Sequence, residues 1–254
     1  MRAFYMKIIT ITSMSGLCDV IESKEFRDDS DSTVIYRGLS DIDFKLCPKA
    51  GRFNPPVNSS DREKLNERLM LELFRNHSVG LTSHVLDDDW ELLAVAQHHG
   101  VPTRLMDWTR SPLVAAYFAV AHPNQSYKKD GRFIDPDSYV LQEPDSVIYA
   151  WRCSKIDLSK KRSIHPLEID KVTRYIPRHV TPRIKAQSGL FSVHPNPKEP
   201  LNDPSNIIQL TVPFLERRNI KKSLYRLGIH EATIFPDLDG AARHIEWLQT
   251  DKKP

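Results

Sequence analysis

Hydrophobic and polar positions change period several times along this chain of 254 residues. Lys7-Ile8-Ile9-Thr10-Ile11-Thr12 alternates apolar and polar side chains with β-branching, which predicts a strand over Ile8–Thr12. Ser15–Ser23 reads as one short helix, and the charged Lys24–Ser32 as loop. Thr33–Arg37 is a second strand, stopped by Gly38. Three prolines (Pro48, Pro55, Pro56) keep Cys47–Ser60 irregular. From Asp61, a cap, Leu65, Leu69, Leu73 and Phe74 recur at helical spacing through His77. Asp87-Asp88-Asp89 caps a helix over Trp90–His98, and Gly100 with Pro102 ends it. Thr103–Trp108 is extended. Ser111-Pro112 opens another helix, and the almost wholly apolar Leu113–Ala121 must be buried on nearly every side. Tyr127–Asp137 resembles a polar hairpin insertion. Ser146–Trp151 and Ile207–Val212 read as strands. Phe214–Leu227 is an amphipathic helix with a basic face. Glu231–Phe235 is a short strand, residues 236–240 turn, and Ala241–Leu248 is a last helix. Strands and helices mix without strict βαβ alternation, so the fold class is α+β.

The length fits one domain over residues 1–254, long enough to bury about 70–75% of its unfolded surface. The net charge is only +3, but its distribution is uneven. Residues 155–185 carry nine Lys or Arg against three acids and are expected to be mostly irregular. This segment is either a solvated face or a grip for an anion. Three widely spaced cysteines (Cys18, Cys47, Cys153) form no metal-binding or disulfide pattern, so a reducing compartment is expected. No apolar run approaches a membrane span of about 20 residues, and the N-terminal apolar run is too short and too broken by Thr for a signal peptide. No membrane partner is expected.

Candidate chemistry gathers at four places. Arg37, at a strand end beside Gly38, presents a fork of donors where backbone can approach a phosphate or a ribose; the alternative is a surface salt bridge. Gln97 to Ser111 holds an amide, two imidazoles, two guanidiniums, a carboxylate, an indole and three hydroxyls between two apolar helices. Such groups must be paired or must serve a ligand. His98 and His99 are adjacent and point about 100° apart on a helix, so they chelate poorly together and no metal is expected. Arg104 and Asp107 are a candidate structural pair. Glu231 beside an apolar strand needs a partner, functional or structural. Gln187-Ser188-Gly189 before Leu190-Phe191 reads as a polar turn facing an acceptor, or as an ordinary loop.

Together these residues resemble the FRG family, named for its Phe/Tyr-Arg-Gly motif. The matching stretches are Val34-Ile35-Tyr36-Arg37-Gly38-Leu39-Ser40, the run from Trp90 to Ala121 with Gln97-His98-His99-Gly100-Val101-Pro102-Thr103-Arg104-Leu105-Met106-Asp107-Trp108-Thr109-Arg110-Ser111 at its centre, and Glu231 to Gly240. FRG domains resemble ADP-ribosyltransferases in motif order, which implies a mixed, mainly antiparallel sheet flanked by helices. The resemblance implies NAD as donor, with Glu231 and Arg37 catalytic. Tyr36, Gly38, His98, Arg104, Trp108, Thr109 and Ser111 would bind the donor, with Tyr36, Trp108 or Phe191 stacking on a ring. Gln187, Phe191, Arg178 and Arg183 would meet the acceptor. It also implies a cytoplasmic toxin or phage-defence effector that modifies a macromolecule, RNA before protein or DNA, with an antitoxin or chaperone as possible partner. Two alternatives stay open: a non-catalytic nucleotide- or RNA-binding module, and an NAD glycohydrolase using Glu231 and Asp107.

Overall fold

The β-branched and aromatic runs pair edge to edge. In a computed structural model, which describes residues 5–52, 66–81, 86–121, 144–156, 164–178 and 181–250, they form one seven-stranded sheet. Its strands are β1 (Lys7–Thr10), β2 (Ser32–Leu39), β3 (Leu105–Thr109), β4 (Ser146–Ser154), β5 (Thr173–Tyr175), β6 (Gly189–Val193) and β7 (Ile207–Val212). The order across the sheet is β1-β7-β4-β2-β3-β6-β5. β1 runs parallel to β7, and every other neighbour pair is antiparallel. The described helices are α1 (Met14–Ile21), α2 (Glu67–Ser78), α3 (Asp89–His98), α4 (Pro112–Val120), α5 (Pro182–Ala186), α6 (Arg217–Arg226), α7 (Glu231–Ile234) and α8 (Leu238–Thr250). The fold is α+β.

Alternation along each strand divides the side chains between two faces. Val34 and Tyr36 of β2, Ile148 and Ala150 of β4 and Leu210 of β7 pack under α4, with Ile220 and Leu224 of α6 and Ile234 of α7. On the same face, β3, β5 and β6 carry a second core against α3, built on Leu92, Leu93, Leu105, Phe191 and Val193. The opposite face holds a third core that spans both halves, with Ile35, Met106, Trp108, Tyr149, Trp151 and Leu190. The halves meet weakly. β2 pairs with β4 along its whole length but touches β3 at a single register position, Tyr36 opposite Thr109. Beyond that point the sheet is split, and the split lies beside Arg37.

Helix starts follow their caps. Asp88 accepts from the Trp90 and Glu91 amides, Ser111 accepts from Val114 N–H with Pro112 at the first helical position, and α4 is apolar on almost every side as its composition requires. Gly100, at φ +89°, ends α3. Several expectations change. Lys24–Phe26 is a 3₁₀ turn, and α8 begins at Leu238, inside the expected turn. β2 does not stop at Gly38, which pairs with Ile148 inside the strand. Phe214–Leu227 divides into a 3₁₀ turn, Phe214–Glu216, and α6. The basic segment is less irregular than its composition suggests, since β5 and α5 lie in it. Glu231–Ile234 is a one-turn helix, not a strand. There His230 N–H donates to the Thr233 hydroxyl, and the Ile234 and Phe235 amides donate back to His230 and Glu231 carbonyls, which closes the turn locally. The cap expected at Asp61 and the insertion at Tyr127–Asp137 lie outside the described residues; α2 is capped by Asn66. No described helix is long and apolar enough to cross a membrane.

Candidate functional site

Arg37 projects from β2 on the face of Ile35 and Leu39, at the split, and its side chain is 17% exposed. One terminal nitrogen donates to the Asp107 backbone carbonyl across the gap and lies 3.8 Å from the Asp107 carboxylate. Its Nε is buried without a partner. Burial lowers the guanidinium's pKa, Asp107 raises it, and the cation Arg52 lowers it again. The local charge is therefore unbalanced: two guanidiniums face one carboxylate, and that carboxylate is 62% exposed.

A polar network lies behind Arg37. Trp108 Nε1 donates to Ser192 Oγ at 2.9 Å, and Ser192 Oγ is 2.9 Å from His194 Nε2. The Trp108 donor leaves the serine proton for the imidazole, so His194 Nε2 accepts and Nδ1 carries the hydrogen. Burial, with Arg37 and Arg104 nearby, pushes His194 down to about 4. His194 is thus a neutral wall beside a cation.

The rim of the split comes from α3. Gln97 Nε2 donates to Asp107 Oδ2, and its Oε1 accepts from the Thr103 hydroxyl. Burial lowers the half-buried His98, His99 and Arg183 lower it further, and Asp107 opposes them. Arg37, Asp107, Gln97, His98 and Arg183 therefore form one continuous neighbourhood. Thr109 and Ser111 stand next along the chain, but as structural groups. The Thr109 hydroxyl donates to Gln187 carbonyl and accepts from Ser111 N–H, while Ser111 caps α4.

Several expected site residues are scaffold. Tyr36 is buried beneath α4. A Cβ on Gly38 would lie 1.9 Å from Ala115 carbonyl oxygen, so that glycine admits helix α4 and not a ligand. Trp108 packs on Trp151 with ring centroids 5.4 Å apart and is 3% exposed, which leaves no face for a nicotinamide. Gln187 and Ser188 form the expected turn, but Gly189 already opens strand β6 and Phe191 stacks on Tyr175 in the α3 core. Arg104 does not pair with Asp107. It reaches α2 and binds Glu67 through Nε at 3.0 Å and Nη2 at 2.9 Å, with Leu167 and Pro195 carbonyls as further acceptors. Arg178 is exposed, and its amide donates to Glu91. Gln187 Nε2 donates to Ile234 carbonyl, which ties α5 to α7.

Glu231 opens α7. It is 8% exposed, accepts a hydrogen bond from Tyr117 and lies 4.0 Å from Lys221 Nζ. Burial, then Glu231, raises the Tyr117 hydroxyl's pKa, so it stays a donor. Tyr117 belongs to α4, which shares its face of the sheet with α3, and Arg183, which acts on His98, also reaches the Phe235 ring just after α7. Sequence reasoning overlooked Tyr117, Arg52, Ser192 and His194. A buried hydroxyl in an otherwise apolar helix was a usable signal for Tyr117; nothing in the pattern marked the other three. Among the described residues no group of three or more His, Cys, Asp or Glu is placed to hold a metal ion.

No curated protein and no solved structure matches the chain. Residues 32–128 match the FRG domain, a stretch that begins at β2, contains Arg37, His98 and Asp107, and stops short of Gln187 and Glu231. Residues 32–128 of this chain therefore carry an FRG domain.

Proposed function

We propose that this protein is an ADP-ribosyltransferase that takes NAD⁺ as donor at the split between β2 and β3. One observation carries the reading: Arg37 is a largely buried guanidinium with an unpartnered Nε, a second cation nearby and a single exposed carboxylate. Such a site is short of negative charge, and a pyrophosphate supplies it through a planar fork. The reaction breaks the bond between nicotinamide and ribose C1′, and the electron pair returns to the nicotinamide nitrogen. The acceptor nucleophile attacks C1′ and loses its proton to the neutral His98 imidazole. Positive charge develops on the ribose, and a carboxylate beside it stabilises the transition state more than the ground state. The carboxylate beside Arg37 is Asp107, so Asp107 takes that role, and Glu231 holds α4, α6 and α7 together.

A second reading, a binding module without chemistry, is favoured by the engagement of Glu231 with Tyr117 and Lys221. The finer expectations follow the family resemblance: a toxin or phage-defence effector with an antitoxin or chaperone, acting on a macromolecule in a reducing cytoplasm. The three unpaired cysteines are in keeping with the last point. The test is incubation with NAD⁺ labelled in the ADP-ribose portion, with protein, RNA and DNA offered separately and nicotinamide release followed. Arg37→Ala and Asp107→Asn should abolish both signals, and Glu231→Gln should spare them if it still folds. Absence of nicotinamide release by the wild type sinks the transferase reading, and bound but intact NAD⁺ leaves the binding module. Free ADP-ribose with no labelled acceptor would make it a glycohydrolase.

A further inference from the structure

Beside the split, two arginines share one aromatic ring. The Arg183 guanidinium carbon lies 4.6 Å from the Phe235 ring centroid, and that of Arg243 lies 4.9 Å from the same centroid. Phe235 is itself fixed from below, where Tyr117 and Phe118 meet it edge-on at 6.4 and 6.2 Å. The two guanidiniums come from different helices, α5 and α8, and both side chains are exposed. No described carboxylate lies within ion-pair distance of either one, nor of the exposed Arg110 and Lys185, which flank the turn at Ser188. Exposed arginines normally find acids or wander in solvent; these are anchored on a ring with no described acid in ion-pair distance. An arginine so anchored keeps its edge donors for phosphate and offers its plane to a base.

The geometry points to a single-stranded nucleic acid as the occupant of this surface, with Arg183 and Arg243 as its phosphate-binding and base-stacking groups and Arg110 and Lys185 as further phosphate ligands. Charge complementarity argues for a polyanion, and guanidiniums anchored beside an aromatic ring argue for unpaired bases over a folded acidic protein. The surface reaches the candidate site through Arg183, which also acts electrostatically on His98. A strand lying on it passes the split where Arg37 and Asp107 stand. Its role as the acceptor's seat rests on the transferase reading; its role as a binding surface does not. It also moves the anion grip expected over residues 155–185 toward α5 and α8, and Arg243 lies outside that segment altogether.

The experiment measures fluorescence anisotropy of a labelled oligouridylate of about 12 nucleotides against the full chain, across a salt series. Arg183→Gln with Arg243→Gln should weaken binding by about 10-fold or more and flatten the salt slope by about 0.7 for each phosphate no longer neutralised. Unchanged affinity in the double variant overturns the proposal. So does equal affinity for a perfect RNA duplex, which offers no free bases, or for a phosphopeptide of equal charge, which would assign the surface to a protein. Nicotinamide release measured with no oligonucleotide present keeps the two readings apart, because it does not depend on this surface. A chain that binds the oligonucleotide through both arginines yet cleaves no NAD⁺ upholds this surface and refutes the transferase.

Discussion

Replacing Gly38 by Ala tests whether the glycine of Tyr36-Arg37-Gly38 serves a ligand or the fold. The added methyl would meet Ala115 carbonyl oxygen at 1.9 Å, Ala119 nitrogen at 2.7 Å and Ala115 carbonyl carbon at 2.9 Å. All three atoms belong to helix backbone, so no side chain can swing aside. Ordinary van der Waals separation begins near 3.4 Å, and α4 would have to retreat by about 1.5 Å. The helix has nowhere to go, because Ala115, Ala116 and Ala119 are fully buried and α6 and α7 close the other side. Retreat by even about 1 Å forfeits a quarter to a half of the dispersion attraction on the face that opens. Overpacking alone costs about 1–3 kcal/mol. With the loosened packing across α4 added, we expect about 3 kcal/mol or more, a large share of the roughly 5–15 kcal/mol that holds a domain together. For a chain of this size, with a urea slope near about 3 kcal/mol/M, the midpoint should fall by about 1 M or more. Tryptophan fluorescence reads the transition through the buried Trp108–Trp151 pair. An unchanged midpoint with loss of anion or NAD⁺ binding would refute the packing argument and return Gly38 to the ligand.

His194 makes stability depend on acid. Its folded pKa of about 4 lies below the usual 6.5, so its contribution is complete above pH 6.5 and is lost as pH falls from there to about 4, by up to about 3 kcal/mol. Urea midpoints taken across that window should show the loss, and a His194→Gln variant with the same slope would show that another group causes it. Glu67→Gln leaves Arg104 charged and largely buried, and should destabilise the fold by about 3–5 kcal/mol; a loss below about 1 kcal/mol would mean that solvent reaches the guanidinium. Tyr117→Phe removes the donor from Glu231 and should cost about 1.5–3 kcal/mol with oligonucleotide affinity unchanged, so a parallel loss of that affinity would place Glu231 in the binding surface after all.

Much of this fold was legible because local rules and tertiary packing agreed. Ser111-Pro112 started α4, the Asp87–Asp89 run capped α3, and Ile207–Val212 became a strand, each for a reason confined to a few residues. The misreadings share a cause. Glu231–Phe235 has the composition of a strand, but backbone groups within five residues satisfy one another and no sheet neighbour is needed. Gly38 and Phe191 were read as features of a ligand site because glycine and aromatic rings suit ligands and cores equally well. Their meaning was set by partners far along the chain, α4 for one and Tyr175 for the other. Arg37 was recognisable as special, but the face of the sheet it takes depends on register, and one residue of register exchanges the two faces.

The parallel pairing of β1 with β7 places Lys7 beside Ile208 and Thr10 beside Thr211. A chain made from its N-terminus therefore releases β1 early and its only described neighbour late. Until β7 emerges, Ile8 and Ile9 have no sheet to join, and the loop to be closed is nearly the whole sequence. Local helices such as α3 and α4 can form first, but the β1 edge of the sheet is completed only after β7 has emerged. Such a topology favours slow folding and leaves an unpaired edge exposed to other chains in the meantime. For this protein, the order in which β1 and β7 emerge bears on yield alongside the stability of the finished fold.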